Sequence, residues 1–528
     1  MTKSVKLKDL FEKHKNDIVL CLFILEWIAL VITYITAVVF IDKHVEGLLD
    51  LDLSAELVNG NILSKEGGII AKDWYFSTEL RVLNVPLVYA ILFRLSDSWH
   101  SVRVVSSAIL LLILVCSALY CAWNMGLKRI FPLIAMLFIL PFSPTYLLFI
   151  TCGLYYIPHI AFSLFTMGMI FALSNAGKKK MIVLLAVLVL LSCIAGIGGI
   201  RMIAVLYLPL VMTVVIMYLA GYGITDKNRF PIIGIFLSFA ASMAGLFING
   251  RLHSVYSFQE QKITFTYMDQ FYFSERVINP VLDCFGYSDT ALDLWTLIRN
   301  FFCAFSVLLV IISLIYHLKR KEEEGIFLTV FYIIAMCILL VVFLFTDNQF
   351  RIRYYCPVIY FTFFLMAKMF TEIKDSRILV KRGVAVLYVV LACLASFNVY
   401  NIYKYCDITK DLRDAGTFLS DNGYINGYAG GYGPQLTELS NGKLDVWNWD
   451  GGDIDNQTDP DEIMEWLQKK SHQTGTPVGK VFILLNKEQY SIIPCRDRIK
   501  EHKIYENNDY VIFGFDDYGE CRNKFEDK

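Results

Sequence analysis

Charged side chains are scarce in this sequence. Asp, Glu, Lys and Arg make up 18% of the 528 residues, whereas a soluble globular chain carries roughly a quarter. Hydrophobic residues make up 56%, and the mean hydropathy is +0.52. The apolar residues gather in repeated runs of about 17–24, long enough to cross the hydrocarbon core of a bilayer. The composition excludes an ordinary soluble protein and predicts a multi-pass membrane protein.

Several motifs of well-known enzyme classes are also missing. There is no P-loop, no GxGxxG ahead of a helix, no HExxH and no GxSxG, so nucleotide chemistry, zinc proteolysis and serine hydrolysis receive no support. The thirteen cysteines show no CxxC or metal-ligand spacing, and their odd number argues against a disulfide framework. The first apolar run is too long to be a removable signal peptide, and it lacks a cleavage site of small residues.

The apolar runs predict about eleven membrane spans. They cover residues 18–41, 101–124, 131–148, 152–174, 181–200, 202–221, 231–248, 299–316, 326–345, 355–371 and 384–401. Lys and Arg cluster at 1–15, 127–129, 177–180, 226–229, 317–321 and 374–382. These clusters fall on alternate connections, and basic residues are retained on the cytoplasmic side of a membrane. The pattern predicts a cytoplasmic N-terminus and an extracytoplasmic C-terminus.

Three polar regions are therefore expected outside: the first loop (42–100), the second loop (249–298) and the tail (402–528). Within the first loop, 83–95 is apolar but short and contains Pro86, so we expect an interfacial or re-entrant helix there. The tail alternates strand-like and helix-like runs, which predicts a small α/β domain after a membrane domain of residues 1–401. It carries 23 Asp and Glu against 15 Lys and Arg, a balance that argues against nucleic-acid binding.

The stretch GLLDLDLSAELVNG, 47–60, sets three carboxylates directly after the first apolar run. Asp50 and Asp52 are two residues apart, and Glu56 lies one helical turn beyond Asp52. Crowded carboxylates raise the pKa of one member, bind a cation, or accept a proton from an attacking hydroxyl. Acidic residues outside a span are also commonly plain solvated charges. The spacing alone leaves these interpretations open.

The first loop continues with charged and aromatic residues that lie close together in sequence. They are Lys72, Asp73, Trp74, Tyr75, Glu79 and Arg81. Such a mixture above a membrane suits the binding of a sugar or a phosphate, so these residues are candidates for a substrate pocket. An interfacial belt of aromatic residues is the alternative interpretation.

Cations also stand at the predicted outer ends of spans, where the positive-inside rule disfavours them. They are Arg201, Arg351 and Arg353. Their partner is either a lipid phosphate, which a guanidinium contacts with two N–H groups, or the external carboxylates in a structural network. Tyr156 and His159, in GLYYIPHIAF, are further pocket candidates at the same level. His159 is more commonly a hydrogen-bonded core residue than a catalyst.

Glu26 interrupts the first predicted span. A carboxylate is costly in lipid and should face the inside of the bundle. We expect it to hydrogen-bond a neighbouring helix rather than to relay protons, because no second acidic residue lies at comparable depth in the other predicted spans.

Together these features resemble the C-type (GT-C) integral-membrane glycosyltransferases, in the branch of the protein O-mannosyltransferases and the lipid A aminoarabinose transferases. The likeness covers most of the chain: the cytoplasmic N-terminus, the acidic first loop, about eleven spans and the outer α/β domain. The first-loop stretch DLDLSAELVNGNILSKEGG…KDWYFSTELRVLN is similar to that of uncharacterised bacterial members. This is a likeness of fold and topology strengthened by one loop.

The resemblance implies a reaction at the outer face of a bacterial plasma membrane. A sugar moves from a polyprenyl-phosphate carrier to a hydroxyl or phosphate of a glycan, lipid or protein acceptor. No cofactor is required, and the resemblance neither demands nor excludes a divalent cation at Asp50 and Asp52.

The resemblance also implies roles for individual residues. Asp50 matches the catalytic base, with Asp52 as the competing candidate and Glu56 as a second acid one turn on. Leu51 stands where many relatives have adjacent Asp and Glu, so the choice between the two aspartates stays open. Arg201 and Arg353, and after them Arg351, match the arginines that bind the lipid phosphate.

Two other classes of function compete with an enzyme. A transporter would need ionisable residues or broken helices in mid-membrane, whereas the ionisable residues here lie mostly at predicted outer ends of spans. A non-catalytic envelope assembly protein would leave the first-loop carboxylates away from any cavity.

Overall fold

The computed structural model describes residues 2–80, 82–225, 227–259, 274–289, 293–346, 352–372 and 378–525. Arg81, Arg351 and part of the second loop therefore lie outside the described residues. A bundle of helices occupies the chain up to Lys404, and a small α/β domain follows it.

Seven helices are long and apolar enough to cross a membrane. They lie in α1 (Thr2–His44), α4 (Trp99–Asn124), α8 (Lys178–Ile197), α10 (Arg229–Leu252), α12 (Leu294–Arg320), α13 (Glu323–Phe345) and α16 (Ile378–Lys404). Each overlaps one of the predicted spans, so the chain is a multi-pass membrane protein.

The other four predicted spans are shorter or broken. They correspond to α5 (Phe131–Leu137), to α6 (Pro144–Tyr146) with the π-helix Leu147–Cys152 and α7 (Ile157–Leu173), to the π-helix Ile203–Tyr207 with α9 (Leu208–Leu219), and to α14 (Cys356–Ile359) with α15 (Phe361–Glu372). The two pieces around residues 153–156 meet at 84°. Among the described residues the count is seven, or eight if this bent pair is one span, so the predicted eleven is not confirmed.

Proline accounts for much of this segmentation. Pro158, Pro209 and Pro357 each stand in the first turn of an α-helix that follows a bend or a stretch of π- or 3₁₀-helix. A proline has no backbone N–H to give to the preceding turn, so it starts a helix readily and cannot continue one. The chain stays apolar on both sides of these prolines, so its hydropathy predicts continuous spans here.

The short apolar run of the first loop is a short helix, as the sequence predicts. It forms α3 (Val85–Phe93), after the longer helix α2 (Leu51–Glu66) of the same loop. The Asn84 side chain accepts a hydrogen bond from the N–H of Val85 at 2.7 Å, and Pro86 occupies the first turn. Nine residues of helix span only about 14 Å, so α3 is too short to cross a bilayer.

Glu26 pairs with Arg382 across the bundle. The Arg382 guanidinium donates to both carboxylate oxygens of Glu26 at 2.9 Å, and both side chains are buried. The expectation that Glu26 bonds a neighbouring helix is confirmed.

The C-terminal domain is built on a five-stranded sheet. Its strands are β3 (Asn426–Gly430), β4 (Asp445–Trp449), β5 (Val481–Asn486), β6 (Lys503–Glu506) and β7 (Tyr510–Phe515), in the order β4-β3-β5-β7-β6. The first three are parallel, and β7 and β6 join antiparallel. The helices of the domain are α17 (Lys410–Asp421), α18 (Gly433–Leu439), α19 (Lys487–Ile492), α20 (Arg496–Ile499) and α21 (Tyr518–Asn523). The α/β architecture predicted for the tail is confirmed.

The central strand β5 shows why the sheet forms here. Residues 481–485 read VFILL and are all buried, because a strand covered on both faces is apolar throughout rather than alternating.

Short strands connect the two loops to this domain. β1 (Tyr75–Phe76) in the first loop pairs in parallel with β2 (Ser257–Phe258) in the second. Tyr75 also forms a β-bridge with the C-terminal domain, where its N–H donates to the carbonyl of Gln468 and its carbonyl accepts from the N–H of Leu467. The two loops and the domain therefore form one connected layer at one end of the bundle.

A buried ion pair connects the C-terminal domain to the bundle. Arg103, near the start of α4, donates to both oxygens of Glu438 on α18 at 2.5 and 2.7 Å. The same guanidinium donates to the carbonyl of Leu53 on α2 at 3.0 Å. The two side chains are 1% and 5% exposed, so neither charge has water as an alternative partner. One cation thus joins three elements.

We predict that Arg103→Ala or Glu438→Ala lowers the stability of the purified protein by about 3–5 kcal/mol, because each leaves an unpaired buried charge. Thermal unfolding in detergent measures the effect. Arg413→Ala, which breaks the half-exposed pair with Asp407, serves as the control and should change stability by less than about 1 kcal/mol. Single variants that unfold like the wild type would contradict this role of the pair.

Candidate active site

A cavity of 790 Å³ lies where the two loops, the bundle and the C-terminal domain meet. Its polar lining comprises Asp50, Asp52, Glu275, Asp283, Ser288, Asp289, Asn279 and Arg353, and its aromatic lining comprises Phe149, Tyr287 and Trp466. Five carboxylates and one guanidinium thus face the same space within the described part of the chain. This is large enough for a small-molecule substrate.

Asp50 stands at the start of α2, immediately before the helix. Its Oδ1 accepts a hydrogen bond from the N–H of Leu53 at 2.8 Å, so the side chain caps the helix. Burial raises the pKa of Asp50 to about 6, with a smaller contribution from the negative charge of Asp52 and opposing effects of the helix-capping bond, Arg353 and Arg103. Asp50 is therefore a carboxyl poised to exchange a proton near neutral pH.

Asp52 pairs with the arginine that lines the same cavity. Arg353 Nη1 donates to Asp52 Oδ2 at 2.8 Å and to the Tyr155 hydroxyl at 2.8 Å. The guanidinium also lies over the rings of Phe149 and Tyr155, 5.1 and 5.7 Å from their centroids. Its buried Nε has no hydrogen-bond partner among the described residues, so the group keeps donor capacity.

Arg201 belongs to a second, adjoining cluster. Its Nε lies 2.7 Å from Glu79 Oε1, and its Nη1 donates to the Tyr156 hydroxyl at 3.2 Å. His159 Nε2 lies 3.6 Å from the other oxygen of Glu79. Glu79, Arg201 and His159 all line a small cavity of 30 Å³. The arginine is therefore paired with a loop carboxylate, one of the two kinds of partner that the sequence leaves open.

Aromatic rings connect the two clusters. The Tyr155 and Tyr156 rings pack against each other with centroids 5.0 Å apart and their planes inclined at 50°. Arg201 lies over the ring of Tyr354, 4.8 Å from its centroid, and Tyr354 follows Arg353 in the sequence. Tyr155 and Tyr156 lie at the 84° break between α6 and α7. The broken helix thus brings two tyrosine rings between the two arginines.

Several predicted site residues lie outside the large cavity. Glu56 is buried on α2 and 5% exposed, and it does not line the cavity. Trp74 is 2% exposed and Lys72 is exposed. Asp73 accepts two hydrogen bonds from Ser471, at 2.6 and 2.8 Å, and Tyr75 forms the β1 pairing. In this structure 72–75 joins the first loop to the C-terminal domain.

Residues that the sequence analysis did not single out also line the cavity. Asp283, on α11 (Asn279–Cys284), accepts a hydrogen bond from the Thr145 hydroxyl at 2.5 Å. Trp466 comes from the C-terminal domain. The stretch NPVLDCFGYSD around Asp283 carries no motif, so the only available signal was its place in a loop on the same predicted side as Asp50.

The side chains that line the cavity can bind a hydroxylated or anionic substrate and exchange a proton with it. Among the described residues, no group of three or more His, Cys, Asp or Glu is arranged to hold a metal ion. The sequence neither demands nor excludes a divalent cation at Asp50 and Asp52. In the structure, one oxygen of Asp52 already accepts a hydrogen bond from Arg353.

Comparisons with known proteins bear on the fold. No family model matches the sequence, and no curated protein matches it. Among solved structures, the apo state of ArnT from Cupriavidus metallidurans is similar over 92% of this chain and 97% of that chain, with a TM-score of 0.56 and 10% sequence identity. The present chain therefore has an ArnT-like fold, as the resemblance of its sequence to the GT-C transferases implies.

Proposed function

We propose that this protein is a glycosyltransferase that moves a sugar from a polyprenyl-phosphate donor to an acceptor at the outer face of the membrane. The observation that carries the proposal is the single cavity that holds Asp50, Asp52 and Arg353, in a chain with an ArnT-like fold. The acceptor is a hydroxyl or phosphate of a glycan, lipid or protein.

The proposed reaction needs one base and one phosphate-binding cation. The acceptor oxygen attacks the anomeric carbon, its proton passes to a carboxylate, and the bond from that carbon to the phosphate oxygen breaks. Asp50 suits the base because its pKa lies near the operating pH while Asp52 is paired with Arg353. The polyprenyl phosphate leaves with the bonding electrons, and a guanidinium stabilises its charge.

Arg353 is the first candidate for contact with the phosphate. It lines the cavity, and 19% of its side chain is exposed. Arg201 keeps its proposed place as a second phosphate ligand. Glu79 holds the Arg201 guanidinium near the rings of Tyr156 and Tyr354. A donor phosphate at that position would therefore compete with the Glu79 carboxylate for Arg201.

The proposed orientation rests on the basic clusters of the sequence. If these clusters face the cytoplasm, the end that carries the cavity and the C-terminal domain faces outward. The large cavity would then meet lipid-linked donors in the outer leaflet.

The buried charges of the bundle argue for an enzyme over a transporter. Glu26 is neutralised by Arg382, and Arg103 by Glu438. A transport pathway needs ionisable groups that exchange partners in mid-membrane, whereas the described carboxylates around the large cavity gather at one end of the bundle.

We predict that Asp50→Asn abolishes sugar transfer, because the amide cannot accept the acceptor proton. Asparagine caps a helix as well as aspartate does, so folding should be retained. Asp52→Asn tests the competing assignment. The assay is the loss of label from a panel of labelled polyprenyl-phosphate sugars incubated with the purified protein in lipid. Asp42→Asn, at an exposed carboxylate in the last turn of α1, is the control. Wild-type rates in both site variants would end the catalytic assignment.

The pH dependence distinguishes the two aspartates. A base must be ionised to accept a proton, so activity should fall on the acid side of the pKa of the base. If Asp50 is the base, kcat/KM should rise between about pH 5 and 7 with a midpoint near 6, the value to which burial raises its pKa. A phosphodiester donor does not titrate in this range. A profile that is flat from pH 5 to 8 would exclude Asp50.

We predict that Arg353→Lys lowers kcat by about 10²-fold, because an ammonium keeps the charge but not the planar donors that stabilise the leaving phosphate. Single-turnover transfer from a saturating labelled donor measures the effect. Arg413→Lys, on the half-exposed pair of the C-terminal domain, is the matched control. An unchanged kcat in Arg353→Lys would remove this arginine from the mechanism.

A further inference from the structure

The C-terminal domain contributes an aromatic side chain to the large cavity. Trp466 lies between β4 and β5 of that domain and lines the same space as Asp50 and Arg353. Its ring is partly exposed and packs against the main hydrophobic core of the bundle. The domain is therefore part of the cavity wall.

The backbone around Trp466 is held from two sides. On one side, the N–H of Met464 donates to the carbonyl of Asn448 on β4 at 2.8 Å. On the other, Leu467 donates to the carbonyl of Tyr75 at 2.9 Å, and Tyr75 donates to the carbonyl of Gln468 at 3.0 Å. Tyr75 is itself paired with the second loop through β1 and β2. The indole is thus placed at the point where three segments of the chain join.

The residue after Trp466 adopts a costly conformation. Leu467 has φ = 55°, in the left-handed region that a residue with a Cβ adopts only at a cost in free energy. The neighbouring hydrogen bonds with Tyr75 hold it there. Strain of this kind persists where the surrounding structure imposes it and is concentrated at functional sites.

Asp283 supplies a polar group to the same cavity from another segment. Its Oδ2 accepts the hydrogen bond from Thr145, and it sits on α11, which begins in the second loop. Burial raises the pKa of this carboxyl. Asp283 can accept a hydrogen bond from a substrate hydroxyl when ionised and donate one when protonated.

We propose that Trp466 and Asp283 form a sugar-binding subsite, in which the indole stacks on the apolar face of a pyranose ring and Asp283 hydrogen-bonds its hydroxyls. One face of a pyranose presents C–H groups, and a flat aromatic ring removes that apolar area from water. The ring belongs either to the donor sugar or to a saccharide acceptor. This inference rests on the proposed function and adds the C-terminal domain to the substrate site.

The first test measures binding. The affinity of the purified full chain is compared for a polyprenyl phosphate that carries a hexose and for the same lipid without sugar. If the donor sugar occupies the subsite, Trp466→Leu should reduce the preference for the sugar-bearing lipid by about ten-fold, and Trp466→Phe by less, because phenylalanine keeps an aromatic face. Trp295→Leu makes the same change at a partly buried tryptophan that packs on Phe397 and does not line the cavity, so its preference should match the wild type.

The second test separates the two sources of the sugar. Hydrolysis of the labelled donor is measured without acceptor, and transfer is measured with soluble oligosaccharide acceptors. If the donor sugar occupies the subsite, Trp466→Leu lowers both rates. If the acceptor occupies it, hydrolysis is unchanged, the KM for the acceptor rises about ten-fold, and the lipid preference of the first test is the same in all variants. Asp283→Asn, which can still accept the Thr145 hydrogen bond, should affect the same reaction as Trp466→Leu.

Two outcomes would overturn the subsite. One is a Trp466→Leu protein with wild-type binding preference, hydrolysis and transfer. The other is equal losses in Trp466→Phe and Trp466→Leu with unchanged thermal unfolding, because stacking requires the phenylalanine to retain activity. A wild-type protein that turns over none of the donors would refute the proposed function instead, while its preference for the sugar-bearing lipid would still report on the subsite.

Discussion

The site depends on the buried guanidinium of Arg103. It neutralises Glu438 of the C-terminal domain and donates to the carbonyl of Leu53 on α2. The N–H of that same Leu53 donates to the Asp50 carboxylate that caps the helix. The charge therefore holds both the docked domain and the first turn of the helix that carries Asp50 and Asp52. Because a charge without a partner inside a protein costs several kcal/mol, α2 and α18 have little freedom to separate.

A chain of contacts between charged groups and aromatic rings extends from α2 into the bundle. Asp52 binds Arg353, Arg353 binds Tyr155, the Tyr155 ring packs against that of Tyr156, and Tyr156 accepts a hydrogen bond from Arg201. Faces of aromatic rings carry partial negative charge, so they stabilise guanidinium groups that burial would otherwise destabilise. The rings therefore add to the single carboxylate that neutralises each arginine, Asp52 for Arg353 and Glu79 for Arg201. Both arginines can then lie buried beside a cavity. An incoming phosphate would meet cations that are already desolvated, and electrostatic interactions are strongest under those conditions.

The similarity to ArnT at 10% identity shows how little of the fold depends on particular residues. Apolar helices of adequate length satisfy their own backbone hydrogen bonds in lipid, and many apolar side chains fill the contacts between them. The cavity is more demanding. It needs the bend between α6 and α7, the cap at Asp50, and the pairing of Tyr75 with both the second loop and the C-terminal domain. Substrate selectivity is expected to depend on these features.

The sequence by itself determined the features that follow from local composition: the membrane class, the short α3, the α/β tail and a partner for Glu26. Apolar length and residue periodicity decide these features without reference to distant parts of the chain. Only the tertiary structure decided that α7 begins after an 84° bend, that a π-helix precedes α9, and that Glu56 and 72–75 lie outside the cavity that Asp50 lines. The same holds for Asp283 and Trp466, which are 233 and 416 positions beyond Asp50 in the chain. The physical reason is that side chains this far apart in sequence meet through the packing and hydrogen bonding of the segments between them, which no local pattern records.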